Sequence, residues 1–235
     1  MINLNLRQEL IELGLPHDDK TLECFDLYMK GILSWNTKVN LTAILGEDEF
    51  IEKHYIDSLQ ISQLGVIKSG SKVIDIGTGG GFPGIPLAII YPESNFVLAD
   101  SLYKRLKIIK ELAGDLSIKN VEVLHGRAED IGQNVEHREQ YDCCVSRAVA
   151  NLSTLCEYCL PTVKLGGTFI AYKSGNIEDE IKTASKAVHI LGGGNIETFH
   201  VGGNNNTHCL VKIEKIKSTP KKYPRKAGTP SKQPL

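Results

Sequence analysis

The stretch from Val73 to Gly84, Val-Ile-Asp-Ile-Gly-Thr-Gly-Gly-Gly-Phe-Pro-Gly, constrains the fold more than any other part of the chain. A β-branched run enters a glycine turn, and a helix begins at or near Pro83, whose fixed φ suits a first helical turn. Glycines let the backbone approach a ligand closely, and the helix start offers unpaired N–H groups. Gly79 to Gly84 read literally as G-x-G-x-x-G, the fingerprint of dinucleotide sites. Asp75 changes that reading, because a carboxylate at the end of the strand repels a pyrophosphate and accepts from an ammonium. Asp100 ends the next strand, 23 residues after Gly77, where a carboxylate is placed to accept from both ribose hydroxyls. A nucleoside joined to an amino acid satisfies both acids, which points to S-adenosylmethionine.

The texture around this turn supports an α/β domain. From Lys72 onward, short β-branched runs alternate with helical ones. Strands are expected at Lys72–Gly77, Asn95–Asp100, Val121–Leu124, Tyr141–Ser146 and Gly167–Tyr172, and helices at Pro83–Ile90, Tyr103–Ser117, Leu152–Leu160 and Ile177–Leu191. That alternation implies βαβ units and a mostly parallel sheet. Two further strands, Ile196–Val201 and Cys209–Ile216, follow one another across Gly202 to Asn206 without a helix, so they form an antiparallel hairpin at a sheet edge. Residues 1–64 read as a helical extension, in which Leu22, Phe25, Met29, Ile32, Leu33 and Asn36 recur at three and four after an Asp18 cap. Residues 65–217 form the cofactor-binding domain. Residues 218–235, with four prolines and no apolar period, read as a basic tail, or a linker to something outside the domain, without regular structure.

The 235 residues are 41% hydrophobic and carry 27 basic and 28 acidic side chains, a formal charge of −1. That excludes a disordered or disulfide-scaffold chain. The balance conceals its parts: Lys212 to Leu235 hold 8 basic residues and 1 acidic, whereas residues 1–64 hold 5 basic and 11 acidic. The tail is therefore the expected nucleic-acid footprint, with Tyr223 available to stack on a base; a merely solvated charge run is the competing reading. Neither a membrane span nor a signal peptide is visible, so the expectation is a soluble, cytoplasmic protein with reduced cysteines. Cys143-Cys144 and the C-x-x-C of Cys156 and Cys159 raise a zinc site, but neighbours on a strand face opposite ways and the second pair reads as core, so no metal is expected. Nothing heptad-like or apolar and exposed calls for a dimer, so the chain is expected to be a monomer.

Seven stretches resemble the bacterial small-subunit ribosomal RNA methyltransferase family RsmG, also called GidB. They are W-N-x-x-x-N-L-T (Trp35 to Thr42), H-x-x-D-S (His54 to Ser58), D-x-G-T-G-x-G-x-P-G-I-P-L (Asp75 to Leu87), D-S-x-x-K-R (Asp100 to Arg105), G-R-A-E (Gly126 to Glu129), S-R-A (Ser146 to Ala148) and R-K-x-G-T-P-x-K-x-P-L (Arg225 to Leu235). The resemblance implies a Rossmann-like class I methyltransferase fold, S-adenosylmethionine as cofactor, and methylation of guanine N7 in 16S rRNA or the small subunit. Cofactor contacts are implied at Gly77, Phe82, Ala128, Glu129 and Arg147, beside the Asp75, Gly79 and Asp100 of the glycine-turn pattern. Ala128 and Glu129 are placed to flank adenine, although Glu129 also reads as a helix cap and Arg147 as a surface ion pair. Arg147 is the candidate for holding the guanine or the methionine carboxylate, and Arg147→Ala is expected to reduce transfer far more than it loosens folding.

Guanine N7 carries a free lone pair, so direct in-line attack needs no base, and none is evident. His54, Asp57 and Ser58 on one helix lack the relay geometry of a hydrolase and read instead as a structural pair that locks the N-terminal helices onto the catalytic domain. Asn36, Asn40 and Thr42 read as loop and cap residues. Two other functions fit parts of the chain. An NAD-linked oxidoreductase fits the literal glycine pattern but not Asp75 or the closing hairpin. A non-catalytic RNA-binding assembly factor fits the fold but not the retained Asp75, Asp100 and Arg147.

Overall fold

The computed structural model describes residues 4–147, 149–201 and 208–235; Ala148 and the expected hairpin turn at Gly202 to Asn206 lie outside them. The chain opens with α1 (Leu4–Glu12) and α2 (Asp19–Asn36). The Asp18 carboxylate accepts from Thr21 N–H at the start of α2, and Leu22, Phe25, Met29 and Ile32 are buried along it, as the three-and-four spacing requires. A continuous helical run follows: α3 (Glu47–Phe50), a π-helical turn Ile51–Ile56, α4 (Asp57–Leu59) and a 3₁₀ turn Gln60–Leu64. The π turn is a departure from the expected regular helix, and such turns often sit at functional sites.

Then come β1 (Lys72–Ile76), α5 (Gly84–Ile90), β2 (Asn95–Asp100), α6 (Tyr103–Asp115), β3 (Val121–His125), α7 (Ala128–Gln133), β4 (Tyr141–Arg147), α8 (Leu152–Cys159), β5 (Val163–Ser174), α9 (Glu178–Ile190), β6 (Gly193–His200), β7 (His208–Lys215) and α10 (Thr229–Lys232). Among the described residues the strands make one sheet, in the order β3-β2-β1-β4-β5-β7-β6. The pairs among β1 to β5 are parallel; β7 runs antiparallel to both β5 and β6. The chain leaves β1 toward β3 on one side and returns at β4 on the other. The carboxyl ends of β1 and β4 therefore flank a topological switch point, where sheets of this kind bind ligands.

Alternate strand residues serve two cores, because successive side chains point to opposite faces. Val73, Leu98, Cys143 and Val145 pack under α2, α5, α6 and the N-terminal helices. Ile74, Ala99, Cys144 and Phe169 pack under α8 and α9. The N-terminal extension thus shares one continuous core with a face of the sheet. Cys143 and Cys144 fall into different cores, as the strand period requires, and burial pushes the Cys143, Cys156 and Cys159 thiols up, away from thiolate. No group of three or more His, Cys, Asp or Glu among the described residues is placed to hold a metal ion.

The tail is the main departure. Residues 218–235 are packed against α7 and α8 instead of running free: Thr219, Tyr223 and Pro230 are buried, and Tyr223 joins the second core. An aromatic ring in the core cannot stack on a base, which corrects that expectation. The reason lies in distant partners. Arg138 donates to the carbonyls of Thr219 and Tyr223, and Gln133 donates to those of Lys221 and Pro224, so side chains satisfy tail carbonyls that no regular ladder pairs.

Candidate active site

Two cavities open at the carboxyl ends of the strands and share Gly77 and Arg105. The smaller, about 360 Å³, is lined by Ile76, Ala99, Asp100, Leu102, Gly126, Ala128, Glu129 and, from the tail, Gly228 and Ser231. The larger, about 520 Å³, lies between the glycine turn, the π turn and the ends of β4, β5 and β7; His54, Asp57, Phe82, Arg147, Tyr172, Lys173 and His208 face it. Gly77 sits between them at φ +77°, and a Cβ there would lie 2.5 Å from Val149 Cγ2. Only glycine fits that conformation and that gap.

Asp100 is placed as its spacing suggests. It lines the smaller cavity, and its two oxygens accept from Gly79 N–H (3.0 Å) and Leu102 N–H (2.8 Å). Each oxygen keeps a second lone pair for a hydroxyl. Asp75 is placed differently: it lies beneath the turn and faces neither cavity. Its Oδ2 accepts from Thr78 Oγ1 (2.7 Å) and Gly84 N–H (2.9 Å), pinning the turn to α5. Its Oδ1 is buried without a hydrogen-bond partner, and burial pushes the carboxyl up to about 7 against the pull of those two donors. An unpaired buried carboxylate oxygen is costly, and the charge of Arg147 offsets part of that cost.

Gly79 and Phe82 belong to the larger cavity, Ala128 and Glu129 to the smaller. Glu129 is 5% exposed, and its Oε1 accepts from Gly228 N–H at 2.7 Å. At least one of its oxygens therefore holds the tail.

Arg147, at the end of β4, is already engaged. Its Nη1 donates to Asp57 Oδ2 (2.8 Å) and to the Lys53 carbonyl (2.9 Å), its Nη2 to His54 Nδ1 (3.0 Å), and its guanidinium lies 5.6 Å from the Phe82 ring centre. Asp57 Oδ1 is also held by His208 Nδ1 at 2.9 Å. Because a guanidinium only donates, His54 accepts at Nδ1 and carries its proton on Nε2, which donates to Thr42 Oγ1 (2.7 Å). Burial, helped by the Arg147 charge, pushes the imidazole down to about 3, so it is neutral. Its ring stacks on Phe82 at 4.2 Å, nearly parallel. Tyr172 Oη donates to the Ser58 carbonyl from β5. The reading of His54 and Asp57 as a lock between the N-terminal helices and the sheet is borne out by these contacts, as is that of Asn36, whose amide holds the backbone of Leu41 and Thr42.

Sequence reasoning missed four residues that build this site: Tyr28, whose hydroxyl donates to the Gly80 carbonyl at 2.9 Å; Arg105, on the shared wall; Lys173; and His208. Arg105 had a signal, the D-S-x-x-K-R motif. Tyr28 sits in an ordinary apolar helix stripe, and His208 begins an edge strand, so neither is distinguishable from core or surface.

The family model described as "GidB: rRNA small subunit methyltransferase G" matches residues 21–210. The chain is 47% identical over 234 residues to ribosomal RNA small subunit methyltransferase G of Clostridium novyi, covering 99% of this chain and 96% of that protein. It is 47% identical over 226 residues to the protein of the same name from Alkaliphilus metalliredigens, covering 95% of each. Among solved structures, a SAM-dependent O-methyltransferase of Thermotoga maritima aligns with TM-score 0.56 at 15% identity, over 80% of this chain and 72% of that one. M. jannaschii TYW2 in complex with AdoMet aligns with TM-score 0.55 at 17% identity, over 74% and 80%. At such identities the structures speak for the fold alone.

Proposed function

Since the chain belongs to the rRNA small subunit methyltransferase G family, we propose that it transfers a methyl group from S-adenosylmethionine to N7 of a guanine in 16S rRNA or the small ribosomal subunit. The observation that carries this reading is the meeting of the two cavities at Gly77, on the switch point of the sheet. The smaller has the size and the acid for a nucleoside: Asp100 would take the ribose hydroxyls, with Ala128 and Glu129 beside the base. Asp75, pinning Thr78 and Gly84 from beneath, would shape the glycine turn on which the amino-acid end rests without touching it.

The cofactor supplies a methyl group on a sulfonium. The chain has three tasks, and its residues are suited to each. It must hold the acceptor base in line, which the stacked Phe82 and His54 rings support as one wall of the larger cavity. It must not compete for the methyl group: His54 Nδ1 is occupied by Arg147, and Nε2 carries the proton. It must tolerate a cation forming on the base, and Asp57, fixed by Arg147 and His208, sets a carboxylate at that wall. Arg147 is then a positioning residue that aligns Asp57 and His54; Lys173 is committed to Glu180 and the Ala150 carbonyl, which leaves Arg105, on the wall of both cavities, to meet phosphate or carbonyl oxygens. No proton is removed, in keeping with a site without a base.

Incubating small-subunit rRNA and assembled subunits with radiolabelled S-adenosylmethionine, then mapping the label, tests the proposal. Label on a guanine that becomes sensitive to N7-specific strand cleavage is expected; label on another atom, or none, overturns it.

A further inference from the structure

The tail was expected to be a free basic arm. It is instead placed with one face on the smaller cavity and the other on solvent, and it is held at several points. Arg225 grips Glu157 through Nε and Nη2 at 2.7–3.1 Å, and Glu157 is fully buried. Thr154 donates to the Pro230 carbonyl at 3.0 Å. Lys215, itself fully buried, donates to Thr219 Oγ1 at 2.6 Å where the segment begins. Over the cavity, Gly228 adopts φ +81°, a conformation that side-chain-bearing residues avoid. This turns its N–H onto Glu129, while Gly228 and Ser231 line the cavity opposite Asp100. On the outer face Lys221, Lys222, Lys226 and Lys232 are exposed.

We propose that residues 218–235 are a wall of the cofactor site, docked as a strap through Glu129, and that rRNA phosphates on its outer lysines favour the docked state. Cofactor and rRNA then bind cooperatively through one segment. Glu129 acts by holding the strap, not by its charge on adenine. The coupling is reciprocal by linkage: whatever stabilises the docked strap from outside tightens the cofactor inside, and the reverse. The inference rests on the cofactor placement proposed above.

The test uses the full-length protein, S-adenosylhomocysteine as the probe and hydrogen exchange beside titration calorimetry. Saturating S-adenosylhomocysteine is expected to slow amide exchange in residues 226–235 by about tenfold or more. Glu129→Ala is expected to weaken its binding about tenfold and to speed exchange in the same segment, the size of a lost hydrogen bond to a charged group. Glu129→Gln, which keeps an oxygen for the Gly228 N–H, recovers most of both. Transcribed small-subunit rRNA is expected to tighten S-adenosylhomocysteine about fivefold in the wild type, and not in a variant with Lys221→Gln, Lys222→Gln, Lys226→Gln and Lys232→Gln together. Strap exchange indifferent to S-adenosylhomocysteine overturns the wall. Glu129→Gln as damaging as Glu129→Ala, with the strap still protected, overturns the role given to Glu129. Equal tightening in the lysine variant overturns the coupling. If the wild type does not bind S-adenosylhomocysteine at all, the cofactor placement falls, and the strap with it.

Discussion

Removing Arg147 tests whether it is a tool for the substrate or a beam of the site. Its side chain is 14% exposed and that of Asp57 9%, so water screens the pair weakly. Arg147→Ala takes a cation from Asp57 Oδ2, a donor from the Lys53 carbonyl and a donor from His54 Nδ1 in one step. Stripping one partner from a buried ion pair costs about 3–5 kcal/mol, because the remaining charge is left in poor surroundings. With urea slopes of about 2–3 kcal/mol/M, the unfolding midpoint should fall by roughly 1–2 M. Asp57→Asn added to Arg147→Ala should restore part of the loss, giving a coupling energy of about 1–3 kcal/mol. The structure therefore revises the sequence-based expectation that Arg147→Ala spares folding: stability and single-turnover transfer should fall together. A stability change under about 1 kcal/mol with no coupling to Asp57 would refute this. It would show that the guanidinium is free in solution to reach substrate.

Other perturbations follow from the same contacts. Tyr28→Phe leaves the Gly80 carbonyl without its buried donor; a loss of about 1–3 kcal/mol in urea and weaker S-adenosylhomocysteine binding are expected, and unchanged affinity would disconnect α2 from the glycine turn. Gly84→Ala puts a Cβ 2.1 Å from Leu98 Cδ2 and 2.9 Å from Asp75 Oδ2, so calorimetry should find the cofactor site lost, and wild-type affinity would show that α5 shifts freely. His54 has its pKa held at about 3 in the fold against about 6.5 when unfolded. The unfolded chain alone takes up that proton between those values, so its contribution is complete above pH 6.5 and is lost as pH falls toward 3. The stability difference between the wild type and His54→Gln should shrink across that window; parallel curves contradict the assignment. Finally, the salt dependence of rRNA binding should lose a slope of about 3 in the four-lysine variant, from about 0.7 per phosphate contact on single strands; an unchanged slope places the footprint elsewhere.

What was legible in the sequence followed local periodicity. The β-branched runs that became β1, β2 and β4, the glycine turn, Asp100 at a strand end and the Asp18 cap each announce themselves within a few residues, and each lies where expected. Asp75 was legible as important but not in its orientation. Whether a carboxylate at a strand end faces a ligand or the underside of its own turn depends on Thr78 and Gly84 donors that no spacing rule specifies. α7 was missed because Ala128–Gln133 holds a glycine and only six residues, too few for a helical period to appear. The tail was misread because its order comes from Arg138, Gln133, Glu139 and Glu157, 68 to 91 residues away in sequence.

That misreading also changes what the charge count means. Eight cations against one anion from Lys212 onward look like a footprint for nucleic acid, yet two of the eight work inward. Lys215 is fully buried on the Leu160 carbonyl and Thr219, and desolvation lowers its pKa to about 8. Arg225 is committed to Glu157. Lys212 pairs with Glu197 at the sheet edge. Charge spent inside positions the segment, and charge left outside meets the partner; a sequence sum adds the two together. The acidic body and basic end are thus not independent modules: the inward cations hold the segment whose Gly228 and Ser231 line the smaller cavity and whose lysines stay exposed, so under the proposed strap the binding of one ligand is felt by the other.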